Sequence, residues 1–107
     1  MDEIRELQLR FADLLNYDAE DITSAIDPLT WRSPEGDSCL HYAAMRGDED
    51  SIRILVKLGV DVNLTGDMGQ TALHYAKTFG HTDAARALTE LGADQSIRNE
   101  FGKPPGE

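Results

Sequence analysis

The sequence predicts an all-helical solenoid in which about three helix-turn-helix units stack side by side, with turns like β-hairpins projecting between them. The main observation is a repeated phrase: SCLHYAAMRGD at residues 38–48 returns as TALHYAKTFGH at residues 71–81. Sliding residues 36–68 over residues 69–101 gives twelve identities without a gap, where chance gives about two. Self-similarity at a fixed period of this size is typical of arrays whose units bury their apolar faces against each other.

The first 35 residues are predicted to form a degenerate N-terminal capping unit. Running the period backwards places apolar residues of this segment under those of the first full unit. Residues 2–27 therefore predict a helical pair, with Asp18 and Asp21 as a plausible start for its second helix. Trp31 aligns with apolar positions of the later units, so we expect its ring in the core.

The two full units, residues 36–68 and 69–101, each predict a helical hairpin. Ser38 and Thr71 can cap the first helix, and a glycine nine residues later can end it in a left-handed conformation. A polar stretch then opens the second helix. Asx-rich, glycine-punctuated segments follow and predict projecting turns. Residues 102–107 are expected to begin a further, truncated unit.

The two full units resemble the ankyrin repeat. Its pattern G-x-T-P-L-H-x-A-A, then G, then L-L-x-x-G-A-D-x-N, is matched by GQTALHYAKTFG with LTELGAD and by GDSCLHYAAMRG with LVKLGVDVN. Cys39 and Ala72 stand where the family has proline, which should soften the helix starts slightly, and Lys77 replaces an alanine. The resemblance covers residues 36–105. It implies a non-catalytic module that binds another protein through a concave face and turn tips.

The histidines are the obvious catalytic candidates. His41 and His74 each lie three residues after a hydroxyl, Ser38 or Thr71, and this spacing suits helix capping. No third residue or oxyanion donor pair completes a hydrolytic site. The resemblance implies that each imidazole bonds the capping hydroxyl and nearby backbone, tying one unit to the next. His81 is expected to be exposed at a helix-helix turn. We expect no enzyme, cofactor or metal.

The composition limits the class of partner. A formal net charge of -10 disfavours nucleic acid, which is bound through clustered Lys and Arg, and favours a basic protein partner. No run of about 18 apolar residues could span a bilayer, and the N-terminus lacks the features of a secretory leader. We expect a cytoplasmic, monomeric protein without a membrane partner. Cys39, the single cysteine, is expected to be a small buried hydrophobe.

The resemblance places the binding residues at the turn tips and at exposed positions of each first helix. Aromatic and Met side chains among charged ones are typical of an interface centre. The predicted partner-binding residues are Arg32, Glu35, Asp37, Met45, Arg46, Asp67, Met68, Gln70, Thr78, Phe79, Glu100 and Phe101. A second candidate patch at two helix-helix turns, which would steer a basic partner, consists of Asp18, Glu20, Asp21, Asp48, Glu49 and Asp50.

The sequence is compatible with three functions. The first is a protein-interaction module. The second is an immunity or antitoxin protein that occludes the active site of a bacterial toxin, by similarity to such proteins that use ankyrin-like arrays. The third is a general scaffold or regulatory adaptor. The rival from a different class is a hydrolase or ligand-binding enzyme that uses Ser38 and His41 or the acid cluster at residues 48–50.

Overall fold

The structure, a computed structural model that describes residues 2–107, is all-helical. Its helices are α1 (Glu3–Arg10), α2 (Cys39–Arg46), α3 (Glu49–Lys57), α4 (Ala72–Thr78) and α5 (Thr82–Glu90), and a 3₁₀ turn spans Asp67–Gly69. Both α2 and α5 pack against α3 and α4, so two helical hairpins stack side by side. The predicted all-α solenoid is confirmed. Over the part of the chain that the structure describes, no helix is long and apolar enough to cross a membrane.

The first unit has a single helix, so the predicted second helix at Asp18 and Asp21 is wrong. The Asp21 carboxylate accepts hydrogen bonds from the backbone N–H (2.9 Å) and the hydroxyl (2.6 Å) of Thr23. The Ser24 hydroxyl donates to the Asp21 carbonyl at 2.8 Å. Side chains that bond the nearby backbone in this way compete with the helical hydrogen-bond ladder. The division of the chain after residues 35, 68 and 101 stays a prediction.

One apolar core runs through all the units. Trp31 is only 9% exposed, and its indole N–H donates to the Leu15 carbonyl at 2.8 Å, which confirms its expected place in the core. Cys39 is fully buried, and burial raises the pKa of its thiol to about 12, so it behaves as a small hydrophobe. Other large side chains of this core are Leu7, Phe11, Ile26, Leu40, Ile52, Leu55, Leu73 and Leu88.

His41 joins the start of α2 to the turn that precedes the next unit. The Ser38 N–H donates to His41 Nδ1 (2.9 Å), and the His41 N–H donates to Ser38 Oγ (3.4 Å), forming a capping box. On the far side of the ring, Nε2 lies 2.9 Å from the Leu64 carbonyl oxygen. A carbonyl can only accept, so Nε2 carries a proton, and Nδ1 carries none because it accepts from the Ser38 N–H. The imidazole is therefore neutral.

His74 repeats this arrangement 33 residues later. The Thr71 N–H donates to His74 Nδ1 at 3.0 Å, and His74 Nε2 donates to the Lys103 carbonyl at 2.9 Å. Both rings are buried. The predicted tie between units is confirmed at His74, whose partner Lys103 lies beyond residue 101, whereas Leu64 belongs to the same unit as His41. Residues 102–107 are anchored to α4 through this bond, and Pro105 in that segment is buried.

Three equivalent turns show that the period also governs the backbone. In each, an N–H donates to the carbonyl four residues later, at 2.7 to 3.0 Å. The donor and acceptor pairs are Ser33 with Asp37, Gly66 with Gln70, and Asn99 with Lys103. We call these segments, residues 33–37, 66–70 and 99–103, the three turn tips.

His81 also joins two units, so the prediction that it is exposed is wrong. It is half-buried, and its Nε2 donates to the Met45 carbonyl at the end of α2 (2.9 Å). The ring lies directly over Gly47, where an added Cβ would come within 2.7 Å of His81 Nδ1. Gly47 has a φ of 68° and ends α2 in the left-handed conformation. A side chain at this position would therefore strain the turn and displace the imidazole.

We predict that His74→Ala lowers the free energy of unfolding by about 1 to 3 kcal/mol, because it leaves the Thr71 N–H and the Lys103 carbonyl without their partner. Urea denaturation measures the effect. His74→Gln should lose less, since glutamine can still complete a capping box. A loss below about 0.5 kcal/mol for the alanine variant would contradict this role.

We also predict that stability falls as the pH drops below about 6.5, the ordinary histidine value. Burial lowers the pKa of His41 in the folded chain, although its bond to the Leu64 carbonyl opposes the shift. The unfolded chain therefore binds the proton first, and the stabilisation present above that pH is lost as the pH falls toward the folded-state value. Urea midpoints between about pH 7 and pH 5 test this. The His41→Gln variant should show a flatter dependence.

Candidate functional site

Hydrogen bonds between neighbours align the three turn tips in one row. The Asp67 N–H donates to Asp37 Oδ1 (3.0 Å), which joins the first tip to the second. The Glu100 N–H donates to the Met68 carbonyl (2.9 Å), which joins the second tip to the third. We call this row, together with the exposed parts of α2 and α4 and the residues that end these helices, the turn-tip surface. Its backbone is held in place before any partner arrives.

Asp37 was predicted as an exposed contact residue, and this prediction is wrong. The residue is 6% exposed, and its Oδ1 accepts from both the Asp67 N–H and the Tyr75 hydroxyl (2.9 Å). Burial, followed by this hydrogen bond to a carboxylate, raises the pKa of Tyr75. A Cβ on Gly66 would collide with the same carboxylate oxygen, so only glycine fits there. Asp37 thus joins two units.

Arg46, another predicted contact residue, is exposed but already engaged within the chain. Its guanidinium lies 5.4 Å from the ring centre of Phe11 and 5.7 Å from that of Tyr42. It also forms an ion pair with Asp13. A partner would have to share or displace these contacts.

Arg32 is likewise exposed, yet it braces the first turn tip. Its Nη1 donates to the Gly36 carbonyl (2.6 Å) and more weakly to the Thr65 carbonyl (3.3 Å). Arg98 makes the matching bond to the Gly102 carbonyl (2.6 Å) in the third tip. Arg32 and Arg98 occupy equivalent positions two repeats apart, and each stabilises its own turn tip.

Large apolar side chains stand out from the turn-tip surface. Met68 is 47% exposed, Phe79 54% and Phe101 65%. Phe79 stacks on the buried Tyr75 ring, with 6.5 Å between centroids and 20° between planes, which restrains it. Of the other predicted residues, Glu35, Thr78 and Glu100 are exposed, and Met45, Asp67 and Gln70 are half-buried. Whether they contact a partner stays a prediction.

The second candidate patch is partly neutralised inside the chain. Asp48 caps α3 by accepting from the Ser51 N–H (3.2 Å), and it pairs with Arg10 at 2.8 Å. Glu49 pairs with Arg53 at 3.1 Å. Carboxylates that already hold a cation attract a second one less strongly, so this patch is the weaker candidate.

The sequence prediction missed Tyr75, although it carries both Phe79 and the bond to Asp37. A signal was present, because a tyrosine follows the capping-box histidine in both units, as Tyr42 and Tyr75. The repeat indicates a position under common constraint. The repeat alone cannot show that the Tyr75 hydroxyl bonds a residue 38 positions earlier in the chain.

The stacked hairpins and the row of turn tips define a helical-repeat protein whose turns are joined to one another by hydrogen bonds. A family model for ankyrin repeats, in three copies, matches residues 9–99. The chain belongs to the ankyrin-repeat family, whose members are generally protein-interaction modules and typically non-catalytic. The match begins within the first unit, so it extends beyond the two units that repeat most clearly. A search of curated proteins returned no match.

Met68 gives a prediction that needs no partner. Its φ of 58° lies in the left-handed region, which is unfavourable for a side chain with a Cβ. Met68→Gly should therefore raise the free energy of unfolding by about 1 kcal/mol, as measured by urea denaturation.

Glu35 is a matched control, because it occupies the same place in the first turn tip without a positive φ. Glu35→Gly should leave stability unchanged or lower it. Equal gains in both variants would show that the backbone at Met68 is not strained.

Proposed function

We propose that the protein is a non-catalytic interaction module that grips a partner protein with its turn-tip surface. The observation that carries this proposal is a set of exposed apolar side chains: Met68 and Phe101 lie on turn tips that are hydrogen-bonded to one another, and Phe79 ends α4. Burying such side chains on association supplies most of the energy at an interface. A rigid surface loses little freedom on binding, which strengthens the complex further.

The proposed partner is basic. Glu35 and Glu100 are exposed beside these apolar side chains, and the chain as a whole carries a formal charge of -10. An acidic field of this size attracts a basic protein from solution and speeds its association at low salt. We propose a cytoplasmic location as well, where a lone thiol such as Cys39 stays reduced.

Catalysis by the Ser38 and His41 pair finds no support in their surroundings. Both residues are buried, and the two ring nitrogens of His41 are engaged by Ser38 and the Leu64 carbonyl. A general base needs a free nitrogen and access to substrate.

The immunity protein and the adaptor remain two forms of the proposed function. They differ in the partner, since only an immunity protein must cover the active site of an enzyme.

We predict that Phe79→Ala and Phe101→Ala each weaken binding of the partner about tenfold, because an exposed aromatic anchor is lost. Their free energies of unfolding should change by less than about 0.5 kcal/mol. Affinity capture with the wild-type chain identifies the partner, and calorimetric titration of the purified pair then measures each variant.

Leu9→Ala is the control, since Leu9 is 56% exposed on α1, away from the turn tips. It should bind as the wild type does. Weaker binding by Leu9→Ala alone, with both phenylalanine variants unaffected, would place the interface elsewhere. An assay of the partner's own activity, with and without this chain, separates the immunity protein from the adaptor.

A further inference from the structure

A cleft of about 300 Å³ lies at the N-terminal end of the array. It opens between the loop at residues 13–17 and the first turn tip, and α2 contributes Tyr42 to its wall. We call it the aromatic cleft. Its lining includes Asp13, Leu15, Tyr17, Trp31, Glu35 and Tyr42. Only Glu35 was among the predicted contact residues.

Two of its three aromatic rings are fixed in position. The rings of Trp31 and Tyr42 meet edge to face, with centroids 5.6 Å apart and 66° between planes. The bond from the Trp31 indole to the Leu15 carbonyl prevents the ring from rotating. Tyr17 is 52% exposed and lines the same cleft. A ligand therefore meets a wall of two fixed rings, with the exposed ring of Tyr17 in the same cleft.

The charge of the aromatic cleft favours a cation. Asp13 and Glu35 are the charged residues that line it, and no Lys or Arg does. Within residues 2–107, Glu35 forms no ion pair, whereas Asp13 pairs with Arg46. Aromatic faces carry partial negative charge, so rings and carboxylates together attract a positive group.

The chain itself shows which cation suits these groups. Arg46 places its guanidinium 5.7 Å from the centre of the Tyr42 ring while it is held by Asp13. A planar guanidinium can stack on an aromatic ring and bond a carboxylate at the same time, which an ammonium does less well. Glu35 and Tyr17 offer the same two kinds of group without a cation of the chain's own.

We propose that the aromatic cleft binds the side chain of an arginine on the partner protein. The guanidinium stacks against Tyr17, Glu35 supplies the counter-charge, and the fixed rings of Trp31 and Tyr42 form the wall behind it. This site deepens the proposed function and rests on it only for the source of the arginine, because the cleft itself can be tested with a small probe.

Trp31 is the only tryptophan of the chain, so its fluorescence reports directly on the aromatic cleft. The probes are Nα-acetyl-arginine amide and its neutral isostere Nα-acetyl-citrulline amide. We expect the arginine probe to change the fluorescence with a dissociation constant in the millimolar range, and the citrulline probe to have no effect. The lysine analogue should bind more weakly. Equal binding of the arginine and citrulline probes would overturn the proposal.

Glu35→Gln should weaken binding of the arginine probe about threefold, because an exposed ion pair is lost. Tyr17→Ala should do the same through the lost ring. Glu100→Gln removes an exposed carboxylate outside the cleft and is the matched control, which should bind as the wild type does. Equal losses in all three variants would show only a general effect of charge and would overturn the proposal.

Phe79→Ala separates this inference from the proposed function, since Phe79 does not line the aromatic cleft. It should leave binding of the arginine probe unchanged while it weakens binding of the partner. A partner that depends on Phe79 but not on Glu35, together with a silent arginine probe, would retain the proposed function and eliminate the cleft as a site.

Discussion

The stack depends on imidazoles that must stay neutral. His41 and His74 each accept a hydrogen bond at one ring nitrogen from the residue that caps their own helix, and donate from the other to a carbonyl of the following turn. Only the neutral ring can do both at once, because a protonated ring has no acceptor. The bond at Nδ1 is buried and the bond at Nε2 is partly buried, so losing either has a cost in stability. One side chain thus sets the helix start and the spacing to the next turn.

Asp37 and Tyr75 fix the turn tips through hydrogen bonds, as the histidines fix the helix starts. The Asp37 carboxylate bonds the backbone of the second turn tip and the hydroxyl of Tyr75 on α4, and Tyr75 in turn supports Phe79. A buried carboxylate requires such partners, since its desolvation is otherwise expensive. The turn-tip surface is consequently supported by side chains that are themselves buried.

Several carboxylates of this acidic chain form ion pairs with its own arginines. Arg10, Arg46 and Arg53 neutralise carboxylates that lie near the helix ends. Exposed pairs of this kind add little to stability, but they reduce repulsion within a chain of charge -10. The carboxylates left without a cation near the turn tips then determine the sign of the field that a partner meets.

The sequence by itself determined the repeat, the helices of the two full units, the capping histidines and the buried Trp31, because these follow from a 33-residue period and from local spacing. It also located the exposed Met68, Phe79 and Phe101. It failed at Asp18 and Asp21, where local side-chain bonds replace a helix, and at Asp37 and His81, which are engaged by other units. Only the tertiary structure decided these, because a period fixes which positions are equivalent, whereas burial and hydrogen-bond partners depend on what the neighbouring unit places against each one.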